Sequence, residues 1–133
     1  MASPFSIQLS VADLDTTEAF YVGIMGLPVH RALTAVGAPE HLVLTLEGCE
    51  VYFVEDDAVG QLHPILEARL EGFPKGVGMT LHLSVSGIED IYQELLEEDL
   101  EILYPLQQKP YGTMELWCFD PDGYLVVLEE SLR

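Results

Sequence analysis

The sequence predicts an α+β fold in which two βαβββ modules form a curved, cup-shaped mixed sheet with helices on its outer face. Three observations carry this. First, Ser6-Ile7-Gln8-Leu9-Ser10-Val11 is echoed 74 residues later by Thr80-Leu81-His82-Leu83-Ser84-Val85, the mark of an internal duplication. Second, both stretches alternate polar and apolar side chains, the period of a strand with one packed face. Third, each runs into a segment with apolar residues at helical spacing and carboxylates at its start. A length of 133 residues fits a single domain. Module 1 is expected at about 4–57, a linker at about 58–77 and module 2 at about 78–131.

The elements follow in chain order. After the strand at 6–11, a helix is expected over 15–25, with Leu14, Phe20, Tyr21 and Ile24 on its packed side. Asp15 and Glu18 lie near the positive end of its dipole. Strand-like runs at 29–33, 42–46 and 50–55 are separated by turn signals at Gly37-Ala38-Pro39 and Glu47-Gly48. The linker is rich in breakers, among them Gly60, Pro64, Gly72, Pro74 and Gly76, with a short helix at 64–70. The second strand–helix pair is expected at 80–85 and 88–98, the helix carrying Ile88, Ile91, Tyr92, Leu95 and Leu96. Glu89 and Asp90 begin that helix. Strands at 101–104, 114–119 and 125–129 complete the copy, with turns at Pro110-Tyr111-Gly112 and Asp120-Pro121-Asp122-Gly123.

Composition narrows the function classes. The chain is 49% hydrophobic and 21% charged, too apolar for a disordered acidic tail. It has 23 acidic against 5 basic residues and a formal charge of −18. Phosphates would be repelled, so neither nucleic acid nor an anionic membrane is an expected partner. No apolar run is long enough to span a bilayer, and Met1-Ala2-Ser3-Pro4-Phe5 does not read as a secretory leader. Cys49 and Cys118 fit neither a disulfide framework nor a zinc pattern; two small buried thiols in a reduced, cytoplasmic protein are expected.

Parity assigns the two faces of the strands. Ile7, Leu9, Val11, Val51, Phe53, Leu81, Leu83, Val85, Leu116, Cys118, Val126 and Leu128 share one wholly apolar face. The other carries Ser6, Gln8, Ser10, Glu50, Tyr52, Thr80, His82, Ser84, Glu115, Trp117, Leu125, Val127 and Glu129. A mixed face of this kind is solvated or lines a cavity, and eight strands curling round it would hold a small molecule.

Val11-Ala12-Asp13-Leu14, with Ala19-Phe20-Tyr21-Val22 and Met25-Gly26-Leu27, resembles the first module of the vicinal oxygen chelate superfamily. This group comprises the glyoxalases, bleomycin-resistance proteins and extradiol dioxygenases. Phe119-Asp120-Pro121-Asp122-Gly123-Tyr124 resembles its final hairpin. The resemblance covers nearly the whole chain and implies paired βαβββ modules and, commonly, a homodimer. Enzymes of the group hold a divalent metal with His, Glu or Gln at four strand positions. By correspondence with the motifs those positions are here Ser6, Tyr52, Thr80 and Val127, which are not a divalent metal set. The nearest match is to the metal-free, acidic bleomycin-resistance proteins, which sequester a cationic antibiotic without chemistry. Lys109-Pro110-Tyr111-Gly112 resembles their Pro-Trp-Gly segment, with Tyr111 in place of the groove aromatic.

No nucleophile elbow, Gly-rich phosphate loop or H-E-x-x-H motif is present, and neither cysteine has a basic neighbour to activate it. No catalytic residue is therefore expected. Binding is expected instead, with no cofactor, by Gln8, Glu50, Tyr52, His82, Tyr111, Glu115, Trp117 and Glu129. Flat aromatic surface beside carboxylates suits a cationic, partly aromatic ligand held by stacking, cation–π contact and charge-assisted hydrogen bonds. One alternative is a glyoxalase-like lyase or dioxygenase whose divalent metal has shifted to His82, with donors among Gln8, Glu50, Glu115 and Glu129. A second is an acidic interaction module that docks a basic protein on the 88–98 helix. His30, His41 and His63 read as ordinary surface histidines.

Overall fold

Strand β1 (Ser6–Val11) buries Leu9 and Val11 and leaves Gln8 in solvent, as its alternation requires. The computed structural model describes residues 4–33 and 39–132; the expected turn at Gly37-Ala38 and the Met1-Ala2-Ser3 start lie outside them. Packing divides the chain into two compact units, Met1–Val22 with Leu27–Gly72, and Gly23–Gly26 with Phe73–Arg133. Each contains a four-stranded mixed sheet, open at its edges, so the eight strands divide between two sheets.

In the first unit the sheet order is β1-β4-β3-β2, with β2 at Val29–Ala32, β3 at His41–Leu46 and β4 at Cys49–Glu55. β1 runs parallel to β4 and the other pairs are antiparallel. Helix α1 (Leu14–Glu18) begins at Asp13, whose carboxylate accepts the Thr16 N–H at 3.0 Å. The winding widens to a π-helix over Ala19–Ile24, where an unbroken α-helix over 15–25 was expected. Phe20 and Tyr21 are both buried there, and Tyr21 lies 4.8 Å, ring to ring, from Phe53 on the core face. Arg31 ties β2 to α1 through Asp15 (2.8 Å) and Glu18 (3.1 Å), and also reaches Glu40 (3.0 Å).

The stretch expected as linker is largely helical. Helix α2 (Asp56–Leu62) follows β4 directly, then a 3-10 turn (Pro64–Leu66) and α3 (Glu67–Leu70). Gly60 sits inside α2, and its intrinsic cost in a helix hides the element from a sequence reading. α2 lies against β4 and β1 and buries Val59. It shares a hollow with Tyr52 and Val54, so it covers part of the face expected to be open.

The second unit repeats the plan as β5-β8-β7-β6, with β5 at Thr80–Ser84, β6 at Ile102–Gln108, β7 at Thr113–Phe119 and β8 at Leu125–Ser131. Helix α4 (Ile88–Glu97) buries Ile88, Ile91 and Leu95 and packs on β6, β7 and β8. Its own sheet thus takes up the apolar side of the helix. Glu130 caps it, accepting from Gly87 N at 2.9 Å and Ile88 N at 3.0 Å. Those two bonds hold the Glu130 carboxyl below its ordinary pKa. β6 continues through Pro105 to Gln108 instead of ending at Tyr104. A proline is tolerated there because β6 is the edge strand, and its pairing with β7 shifts register on both sides of Tyr104. In the Asp120-Pro121-Asp122-Gly123 turn, Asp120 accepts the N–H groups of Asp122 (2.9 Å) and Tyr124 (3.0 Å).

The apolar face is as expected except at Ile7, which is half-buried. The thiols need one correction. Cys118 is buried and pushed up to about 12 by that burial, whereas Cys49, beside the Gly48 turn, is only half-buried.

Candidate functional site

Five of the expected site residues lie in the second unit, four of them gathered by strand register and the fifth, Tyr111, by the turn between β6 and β7. His82, Val127, Trp117 and Tyr104 form one row across β5, β8, β7 and β6, and Ser84, Glu129, Glu115 and Gln107 form the next. Val127 is buried, so it is the floor of the first row. The rings stand around it: Trp117 meets Tyr104 edge-on at 5.3 Å and His82 at 6.5 Å. Tyr104 was not singled out from sequence, because its strand was expected to end there.

Glu115 is the polar centre. One carboxylate oxygen accepts the Trp117 indole N–H at 3.3 Å, and the other accepts the Tyr111 hydroxyl across the β6–β7 turn. The Tyr111 bond is the main reason the Glu115 carboxyl lies below its ordinary pKa; Trp117, Lys109 and His82 act in the same direction and partial burial opposes them. Tyr111 is pushed the other way, because its proton is engaged by Glu115. Tyr104, Pro105, Gln107, Lys109, Glu115 and Trp117 line a groove of about 280 Å³. His82, Tyr111 and Glu129 adjoin it without being part of its wall.

The remaining three expected residues lie in the first unit. Gln8, Tyr52 and Val43 share a row across β1, β4 and β3, and Glu50 stands in the row of Ser6 and Thr45. Tyr52 donates to Glu50 at 3.1 Å, which raises the phenol's pKa. A hollow of about 200 Å³ joins Gln8 and Tyr52 to His41, Leu62 and His63 under α2. His41 lies 5.7 Å from Tyr52, ring to ring, and its Nδ1 is 3.2 Å from the Pro39 carbonyl. Since a carbonyl only accepts, Nδ1 carries the proton in that bond. His41, half-buried against Tyr52, was therefore misread as an ordinary surface residue, whereas His63 is exposed, as expected, though it lines the same hollow. For His41 a signal existed, because it shares the parity of Val43 and Thr45 opposite buried Leu42 and Leu44. For His63 there was none, since its place depends on α2.

The four positions at which the resemblance places metal ligands hold two aliphatic hydroxyls, a phenol engaged by Glu50, and buried Val127. That donor set does not fit a divalent metal. Among the described residues, no three His, Cys, Asp or Glu side chains gather into an ion-holding group, around His82 or elsewhere. Among the described residues, no helix is long and apolar enough to cross a membrane.

No curated protein matches the chain. Solved structures share its fold. A hypothetical protein from S. aureus is 14% identical over 98% of this chain and 95% of its own, with a TM-score of 0.70. A superfamily member from Sphaerobacter thermophilus is 21% identical over 98% of each chain, with a TM-score of 0.65. A glyoxalase-related enzyme from Fulvimarina pelagi is 16% identical over 98% of this chain and 89% of its own, with a TM-score of 0.66. At these identities the likeness is one of fold. The family description for the Glyoxalase/Bleomycin resistance protein/Dioxygenase superfamily matches residues 4–128, nearly the full length, and to that superfamily the chain belongs.

Proposed function

We propose that this protein binds a small cationic, partly aromatic molecule in the groove of the second unit, without altering it and without a sheet-bound divalent metal. The observation that supports this reading is the Glu115 carboxylate, anchored by Tyr111 and Trp117 beside the Trp117–Tyr104 rings. Anchored donors keep the charge in place before a ligand arrives, so little ordering is spent on binding. The rings offer faces to a planar cation, a contact of about 0.5–2 kcal/mol. Glu129 and the −18 charge of the chain draw cations toward the site. Gln8, Glu50 and Tyr52 form a separate polar patch of the same kind in the first unit. The protein works as a homodimer in the cytoplasm, where both thiols stay reduced.

Trp117 is the chain's single tryptophan, so its fluorescence reports the groove directly. Tyramine should change that fluorescence saturably, and Glu115→Gln should weaken its binding about tenfold. Stoichiometric zinc, nickel, iron or manganese in the purified protein, lost on His82→Ala, would overturn the proposal in favour of a displaced metal centre.

A further inference from the structure

Lys109 sets the groove apart from a plain cation site. It is one of five basic residues in a chain with 23 carboxylates, yet among the described residues it makes no ion pair. Its Nζ instead donates to the neutral Gln107 Oε1 at 3.2 Å. Arg31 shows the contrast, with carboxylates from Asp15, Glu18 and Glu40 around it. The backbone of Lys109 is fixed where β6 turns into β7: its N–H donates to the Thr113 carbonyl at 2.7 Å, and its carbonyl accepts from Gly112 at 3.1 Å. The same turn carries Tyr111 to Glu115. Both charges of the groove are thus held by neutral groups, with aromatic rings in the same lining.

We infer that the ligand is a zwitterion, an aromatic body whose cationic group meets Glu115 and whose anionic group meets Lys109. This rests on the binding role proposed above and adds an anionic group to the cationic, partly aromatic ligand proposed there. A simple cation would gain from Glu115 and lose to Lys109, and an anion would meet the reverse in an acidic chain. A molecule bearing both charges satisfies both residues, each of which otherwise has only neutral hydrogen-bond partners among the described residues.

Three probes with one phenolic body separate the cases: tyramine as cation, tyrosine as zwitterion and 3-(4-hydroxyphenyl)propionate as anion. Each is titrated against the fluorescence of Trp117. Tyrosine should bind about five- to tenfold tighter than tyramine, the scale of one added charge-assisted contact, and the propionate most weakly. Lys109→Met should cancel the advantage of tyrosine without weakening tyramine. Lys75→Met, which removes the same charge outside the groove lining, should leave that advantage intact. Tyramine binding as tightly as tyrosine, or tyrosine binding unmoved by Lys109→Met, would overturn the zwitterion while leaving the binding role standing. If no probe perturbs Trp117, the binding role and the zwitterion fall together.

Discussion

Glu115 owes its ionised state to particular neighbours, and that makes it testable. Its pKa is lowered first by the Tyr111 hydroxyl, then by Trp117 and the positive charges nearby. Affinity for tyramine should therefore persist as pH falls and disappear below the ordinary carboxylate range, when the carboxylate protonates. Tyr111→Phe removes the largest cause, so the pH midpoint of tyramine binding should move upward; an unmoved midpoint would show the hydroxyl to be irrelevant. The stability linkage has the same sign. A carboxyl depressed in the folded state stabilises above its unfolded pKa and loses that contribution as pH falls through the folded value. Glu115 is largely solvated, so that contribution is slight. Parity alone placed His82, Glu115 and Trp117 on one face, because alternation along a strand is a property of its own residues. The partnership of Lys109 with Gln107 was not legible, since both the length of β6 and its register shifts depend on pairing with β7.

Among the elements, the Asp120-Pro121-Asp122-Gly123 turn shows a local signal and a tertiary constraint coinciding. Gly123 has φ +91°, and a Cβ there would collide with Pro74. Gly123→Ala should lower unfolding stability by more than ~1 kcal/mol in a urea titration, since strain and overlap both act. Gly48→Ala has φ +76° but meets nothing within 4 Å, so it should cost visibly less. Equal losses would mean that the Pro74 contact contributes nothing. Helix α2 is the opposite case. Its Gly60 reads as a breaker, and burial of Val59 against the sheet overrides that local preference. The π-helical turn over Ala19–Ile24 and the passage of β6 through Pro105 were hidden in the same way, because local propensity says nothing about which strand stands at an edge.

For the whole chain, charge is the dominant global quantity. At −18 the folded state repels itself, and screening should relieve it. Raising sodium chloride from ~10 mM to ~200 mM shortens the Debye length from roughly 30 Å to under 10 Å, so the thermal midpoint should rise. Arg31→Met should lower the midpoint more at low salt than at high, because it leaves Asp15, Glu18 and Glu40 facing one another without their cation. A midpoint independent of salt would show that self-repulsion is unimportant here.

The amino-acid order by itself determined the duplication, the two βαβββ units, the apolar faces and the superfamily. The first three are written in periods of two and 3.6 residues and in local turn motifs, and the superfamily in the resemblance of its sequence motifs. Only the tertiary structure decided that α2 covers part of one mixed face, that His41 and His63 join Tyr52, and that Lys109 stands in the same groove as Glu115. Those facts depend on which distant segments pair and pack, and no local period encodes that choice.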